Sequence, residues 1–158
     1  MIVVSDTTPI NYLLLLKKEF ILPALFSRVI VPGEVLREMM HPNAPEIVRT
    51  WASTPANWVE IMEPVWPKPI PGLDAGENAA INIGLETGVD AILIDDRRGI
   101  REASSLGLNT LTTFALFELA SIKRLVDFEE TISDLAATSF HMPPKDIVEA
   151  YLRRNRGS

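Results

Sequence analysis

"MIVVSDTTPI", residues 1–10, puts an aspartate directly after a β-branched apolar run and follows it with two threonines and a proline. The opening run reads as a strand buried on both faces, the kind found in parallel sheets. Thr8-Pro9 reads as a helix start, with a hydroxyl N-cap and proline at the first helical position. Asp6 then falls in the turn between strand and helix. Capping is the ordinary use of an aspartate there, but Thr8 with Pro9 behind it already fills that role. What remains is an acid at the carboxyl end of a first strand, where open α/β sheets bind ligands.

The rest of the chain repeats the strand-then-helix device. Strand-like runs are IVV (2–4), VIV (29–31), WVEIM (58–62), AILI (91–94) and NTLT (109–112). Helical patterns cover about 9–18, 33–41, 44–53, 75–87, 97–106, 113–123, 127–137 and 144–154, and Gly88 and Gly107 stand where helix C-caps belong. This alternation predicts an α/β fold with a mostly parallel sheet of four to five strands and helices on both faces. At 158 residues, 47% hydrophobic, a single domain spanning 1–158 is expected. The stretch "TPANWVEIMEPVWPKPIPGLD" (54–74) interrupts the pattern with five of the twelve prolines and two of the three tryptophans. It reads as an extended arm across the surface, either a partner or oligomer contact or a stiff connection.

Composition removes several chemistries. No cysteine is present, which excludes disulfides, thiolate zinc sites and a cysteine nucleophile. Two histidines, His41 and His141, are too few for a histidine-rich metal site. The start lacks a basic, signal-like segment, and no apolar run approaches the roughly 20 residues that span a bilayer, so a soluble cytoplasmic protein is expected. A net charge of −6 argues against binding nucleic acid through the bulk field. It leaves room for a nucleic-acid enzyme whose acids gather around cations.

The acids occupy a consistent set of places. In "VIVPGEVLREMMHP" (29–42), Val35, Leu36, Met39 and Met40 form the expected buried stripe. Glu34 lies opposite it in solvent, and Glu38 at its border, where a metal ligand would sit. In "GLDAGENAAINIGLE" (72–86), Asp74 three residues before Glu77 is a possible capping box. Yet Glu77 shares a face with Ala80, Ile81 and Gly84, so it sits on the closely packed side and needs a partner. "DAILIDDRRGIREA" (90–103) ends its strand in Asp95 and Asp96, one of which suffices as a helix cap. Arg97, Arg98 and Arg101 follow, either as a solvated face or as phosphate contacts. Right-handed crossovers bring strand carboxyl ends and helix N-termini to one edge, so Asp6, Glu38, Glu77 and Asp95/Asp96 can converge. Gathered carboxylates need cations to stay ionised, and oxygen-only ligands select Mg²⁺ or Mn²⁺.

"VVSDTTPI", "IVPGEVLREM", "LDAGENAAINIGLETG" and "AILIDDRRGIREA" resemble, in order and spacing, the PIN-domain ribonucleases, and most of all the prokaryotic group of VapC-type toxins of toxin–antitoxin pairs. The resemblance covers a core of about residues 2–125. It implies a three-layer α/β/α sandwich and a Mg²⁺- or Mn²⁺-dependent endoribonuclease that hydrolyses phosphodiester bonds with metal-activated water. By that resemblance the acids are Asp6, Glu38, Glu77 and Asp96 or its neighbour Asp95. Thr7 or Thr8 would support a ligand or a bound water. An antitoxin partner and a homodimer are implied in the same way. Two features depart from the family pattern: the third acid is the longer Glu77, and the doublet at 95–96 leaves the fourth ligand open. The tail, residues 126–158, extends past the core; within it "FHMPPKDIVEAYLRRNR" (140–156) reads as a loop and an amphipathic helix rich in arginine. Phosphatase, phosphoryl-receiver, Rossmann and P-loop readings each lack a required residue or glycine pattern. The competing reading is a catalytically inactive PIN-like module that binds nucleic acid or protein.

Overall fold

The computed structural model describes residues 1–156. Strands β1 (Ile2–Ser5), β2 (Arg28–Pro32), β3 (Val59–Met62), β4 (Ala91–Leu93) and β5 (Thr110–Leu111) form one all-parallel sheet in the order β3-β2-β1-β4-β5. The helices are α1 (Thr7–Leu15), α2 (Ile21–Leu25), α3 (Gly33–Met39), α4 (Glu46–Ser53), α5 (Ala75–Thr87), α6 (Arg97–Ser105), α7 (Thr113–Ile122), α8 (Phe128–Ala136) and α9 (Lys145–Asn155). The expected α/β architecture is therefore present, with five strands among the described residues, all parallel.

The chain divides into two compact units, Met1–Thr113 and the part from Phe114 onward. The first holds the sheet. Register puts Val4 beside Ile30 and Ile92, so their side chains share one face. α5 and α6 cover that face with Ala80, Ile81, Ile83 and Ala103, all fully buried. Each buried isoleucine there contributes about 1.5–3 kcal/mol relative to exposure. The other face, with Val3 and Val29, is buried as well, and right-handed crossovers place α1 to α4 over it. The strand order runs outward from β1 in both directions. Such a sheet has its crevice between the two diverging strands, here β1 and β4, at their carboxyl ends. The Asp6 N–H donates to Leu93 O at 2.9 Å and ties those two ends together.

Three local expectations need correction. α1 begins at Thr7, not after Thr8, and Asp6 holds the N-cap position without a side-chain cap bond. Pro9 is thus the third helical residue, which costs nothing because first-turn N–H groups have no partner inside the helix. Met40 leaves the buried stripe: α3 ends at Met39, and Met40 is exposed. α2 adds one short helix that the sequence pattern does not announce.

The arm at 54–74 contains β3 and then runs without regular structure to α5. One stripe of α5, at four-residue spacing, straps it down. Asn78 accepts from Ile70 N at 2.9 Å, and Asn82 exchanges two bonds with the Lys68 backbone, both 2.9 Å. Glu86 accepts from Val65 N at 2.7 Å and Trp66 N at 3.0 Å. The Trp66 side chain itself faces outward.

In the second unit, Phe114, Phe128, Phe140 and Tyr151 pack ring against ring. α9 contributes no fully buried residue and is pinned instead by Arg154, whose guanidinium donates to Glu118 at 2.8 and 3.1 Å. Among the described residues, no helix is long and apolar enough to cross a membrane.

Candidate active site

Asp6 stands at the tied ends of β1 and β4 and is 5% exposed. Its Oδ1 atom is buried and has no hydrogen-bond partner among the described residues. Burial, above all, pushes its carboxyl up to about 8 from an ordinary 3.8; the Thr7 backbone N–H opposes this, and the charges of Asp74, Glu77 and Glu38 add to it. A buried acceptor left unanswered is expensive, so its persistence calls for an explanation beyond folding.

The other carboxylates come from two helices that meet this edge. Glu38, on the last turn of α3, is exposed and accepts from the Thr7 hydroxyl at 2.8 Å. Gly76, in the first turn of α5, is where Asp6 and Glu38 face each other. A Cβ at position 76 would stand 3.0 Å from Glu38 Oε2 and 3.3 Å from Asp6 Oδ1, so any larger residue would fill the space the two acids share.

Glu77 follows directly and is 7% exposed. It makes the full capping box with Asp74: Glu77 N–H donates to Asp74 Oδ1 at 2.8 Å, and Asp74 N–H donates to Glu77 Oε1 at 3.0 Å. Burial raises the Glu77 carboxyl to about 7, opposed by the Asp74 backbone bond and supported by the charges of Asp74 and Asp96. Its second oxygen, Oε2, would be 3.3 Å from a Cβ at Gly99, in the first turn of α6. Asp96 caps that helix, accepting from Gly99 N at 2.9 Å. Glu77 and Asp96 therefore look onto the same glycine.

Asp95 is placed otherwise. Both of its oxygens are taken by Thr113, from the backbone N–H at 2.9 Å and the hydroxyl at 2.6 Å. Its carboxyl is raised by burial and lowered by those two bonds, and no other carboxylate contributes. Of the doublet, Asp96 is the member that faces Glu77. Near the first strand, the Thr7 hydroxyl donates to Glu38. Among the arginines, the Arg98 guanidinium lies over Gly72 at the end of the arm, while Arg97 and Arg101 are exposed on α6. Glu34 points to solvent and pairs with Arg37 at 3.0 Å.

Sequence reasoning passed over two residues here. Asp74 was legible as a cap, and its closeness to Asp6 is a long-range fact that spacing does not carry. Thr113 lies 18 residues from Asp95, beyond any local pattern.

The donor set is oxygen only and suits hard divalent cations. The unanswered Asp6 Oδ1 and the open space at Gly76 fit such an ion. Among the described residues, no group of three or more His, Cys, Asp or Glu side chains closes into a metal-holding arrangement.

Comparison with known proteins bears on the fold and the family. No curated protein sequence matches the chain. A PilT N-terminus domain protein from the hyperthermophilic archaeon Sulfolobus solfataricus P2 has the same fold, with a TM-score of 0.51 at 14% sequence identity, over 90% of this chain and 98% of that one. The family profile DUF3368, described as a PIN domain, matches residues 2–155 and so includes nearly all of the C-terminal unit. The chain belongs to the PIN-domain family.

Proposed function

We propose that this chain is a Mg²⁺- or Mn²⁺-dependent endoribonuclease whose acids are Asp6, Glu38, Glu77 and Asp96. PIN domains are generally nucleases, which supports the class of reaction. The observation that carries the reading for this chain is Asp6 Oδ1, buried without a partner beside the space at Gly76 that it shares with Glu38. A bound divalent cation would supply positive charge for the phosphate oxygens and activate the attacking water. The chain's own contribution is to hold acceptors in fixed places. Asp6 is fixed by the β1–β4 tie, Glu38 by Thr7, Glu77 by its capping box and Asp96 by Gly99. Arg97 and Arg101 offer charge to the phosphate backbone on the exposed side of α6. Asp95 is engaged by Thr113 instead.

The test is cleavage of a mixed RNA pool with Mg²⁺ or Mn²⁺, against a chelator blank. Wild type cleaves, and Asp6→Asn does not while still binding RNA. Binding without cleavage under every metal tried would favour the inactive binding module. A toxin role with an antitoxin partner and a homodimer belongs to the same reading and is carried by the motif resemblance. Its test is expression in a bacterial host: wild type arrests growth, Asp6→Asn does not, and a harmless wild type opposes the toxin role.

A further inference from the structure

Glu77 occupies a place where the family more often has the shorter aspartate, and a longer side chain has more freedom to miss its target. The capping box removes that freedom. Glu77 Oε1 is held at 3.0 Å by the Asp74 N–H, and the carboxylate plane is thereby set. The remaining oxygen is the one directed at Gly99, whose N–H is held by Asp96. The box closes only while the Asp74 side chain answers Glu77 N at 2.8 Å and keeps the first turn of α5 in register. That turn also carries Gly76, the space shared by Asp6 and Glu38. We infer that Asp74 is a positioning residue, which through its capping box presents Glu77 as a one-oxygen ligand toward Asp96 and holds Gly76 between Asp6 and Glu38.

The inference rests on the metal-dependent reading above and deepens it. A capping box starts a helix equally well with its N3 glutamate in solvent. Here the reciprocal partner is buried, and the residue before it, Gly76, is the one that borders Asp6 and Glu38.

The experiment is Mn²⁺ titration followed by electron paramagnetic resonance of the free ion, with melting temperature measured on the same samples. Wild type, Asp74→Ala, Asp74→Asn and Asp74→Ser are compared. Ala removes the acceptor, while Asn and Ser keep it without the charge. The expected result is about tenfold weaker Mn²⁺ binding for Asp74→Ala, in the range for groups that orient a ligand, with most of it recovered in Asn and Ser. Two outcomes overturn the inference while leaving the nuclease reading intact. If all three variants bind Mn²⁺ as wild type does and only the melting temperature falls, Asp74 is a helix cap alone. If all three are weakened equally, its charge matters and its cap does not. A wild type that binds no Mn²⁺ overturns both the inference and the reading beneath it.

Discussion

The ends of β1 and β4 make a controlled comparison. Each places an aspartate at the carboxyl edge of one of two paired parallel strands, Asp6 buried and Asp95 half-buried. Asp95 has both oxygens answered by Thr113, so its burial is compensated by hydrogen bonds. Asp6 has Oδ1 unanswered and other carboxylates for neighbours, and its carboxyl is held up to about 8. The same local device thus yields a brace at one strand end and an uncompensated acceptor at the other. What separates the two strand ends is the unanswered oxygen together with a second carboxylate, Glu38, facing the same space.

The largest effect should come from exchanging these roles in the assay. Asp6→Asn is expected to lower RNA cleavage by at least about 10²–10³-fold, the scale for losing a group that acts in the transition state. Asp95→Ala should keep cleavage per folded molecule within several-fold of wild type. Its cost falls on stability instead, about 1–3 kcal/mol by urea unfolding, because the Thr113 donors are left buried. The comparison breaks if Asp95→Ala abolishes cleavage in folded protein.

Next in size is the pH dependence of stability in chelator. The folded Asp6 carboxyl binds its proton more tightly than the ordinary 3.8, so its contribution is fully present below about 4 and lost as pH rises to about 8. Glu77 adds to the loss over a narrower window that closes near 7. Asp6→Asn removes the larger part. At pH 8 the variant should exceed wild type by at least about 2 kcal/mol, roughly 4–8 °C in Tm for a chain of this size. The gap should shrink toward pH 4, and a gap independent of pH would refute the buried-charge account.

Smaller effects are expected from charges around the edge. Arg97→Ala or Arg101→Ala should weaken RNA binding and reduce its salt dependence by about one unit of slope each, read by fluorescence anisotropy. Arg98 lies over Gly72, so Arg98→Ala should also loosen the end of the arm. Glu34→Gln should change least: cleavage is unaffected and stability moves by less than about 0.5 kcal/mol, the scale of an exposed ion pair.

Much of this was legible in the chain. The five strands, eight of the nine helices described and the parallel sheet follow from alternating apolar runs and caps, with boundaries off by a few residues. α2 escaped because five residues with an internal proline show no periodicity. The start of α1 was misplaced because cap preferences compete with tertiary ties, and the bond from Asp6 N–H to Leu93 O fixes the turn one residue before Thr7. Within the site, the order of the acids could be read from spacing. The choice within the 95–96 doublet could not, since it depends on Thr113, which arrives from another strand crossover. The capping box and the packed side of Glu77 were both visible, but not which Glu77 oxygen the box holds and which it leaves toward Gly99, because that depends on how α5 and α6 pack.

The claim that an unpartnered Asp6, rather than strand-end burial as such, makes the site is tested most directly by metal-linked stabilisation. Melting temperatures of wild type, Asp6→Asn and Asp95→Ala are measured with and without saturating Mn²⁺ at one pH. An ion that binds only the folded chain raises Tm by mass action. The account predicts the same rise for wild type and Asp95→Ala, and little or none for Asp6→Asn. An equal rise in all three proteins, or a rise lost in Asp95→Ala but kept in Asp6→Asn, would contradict it.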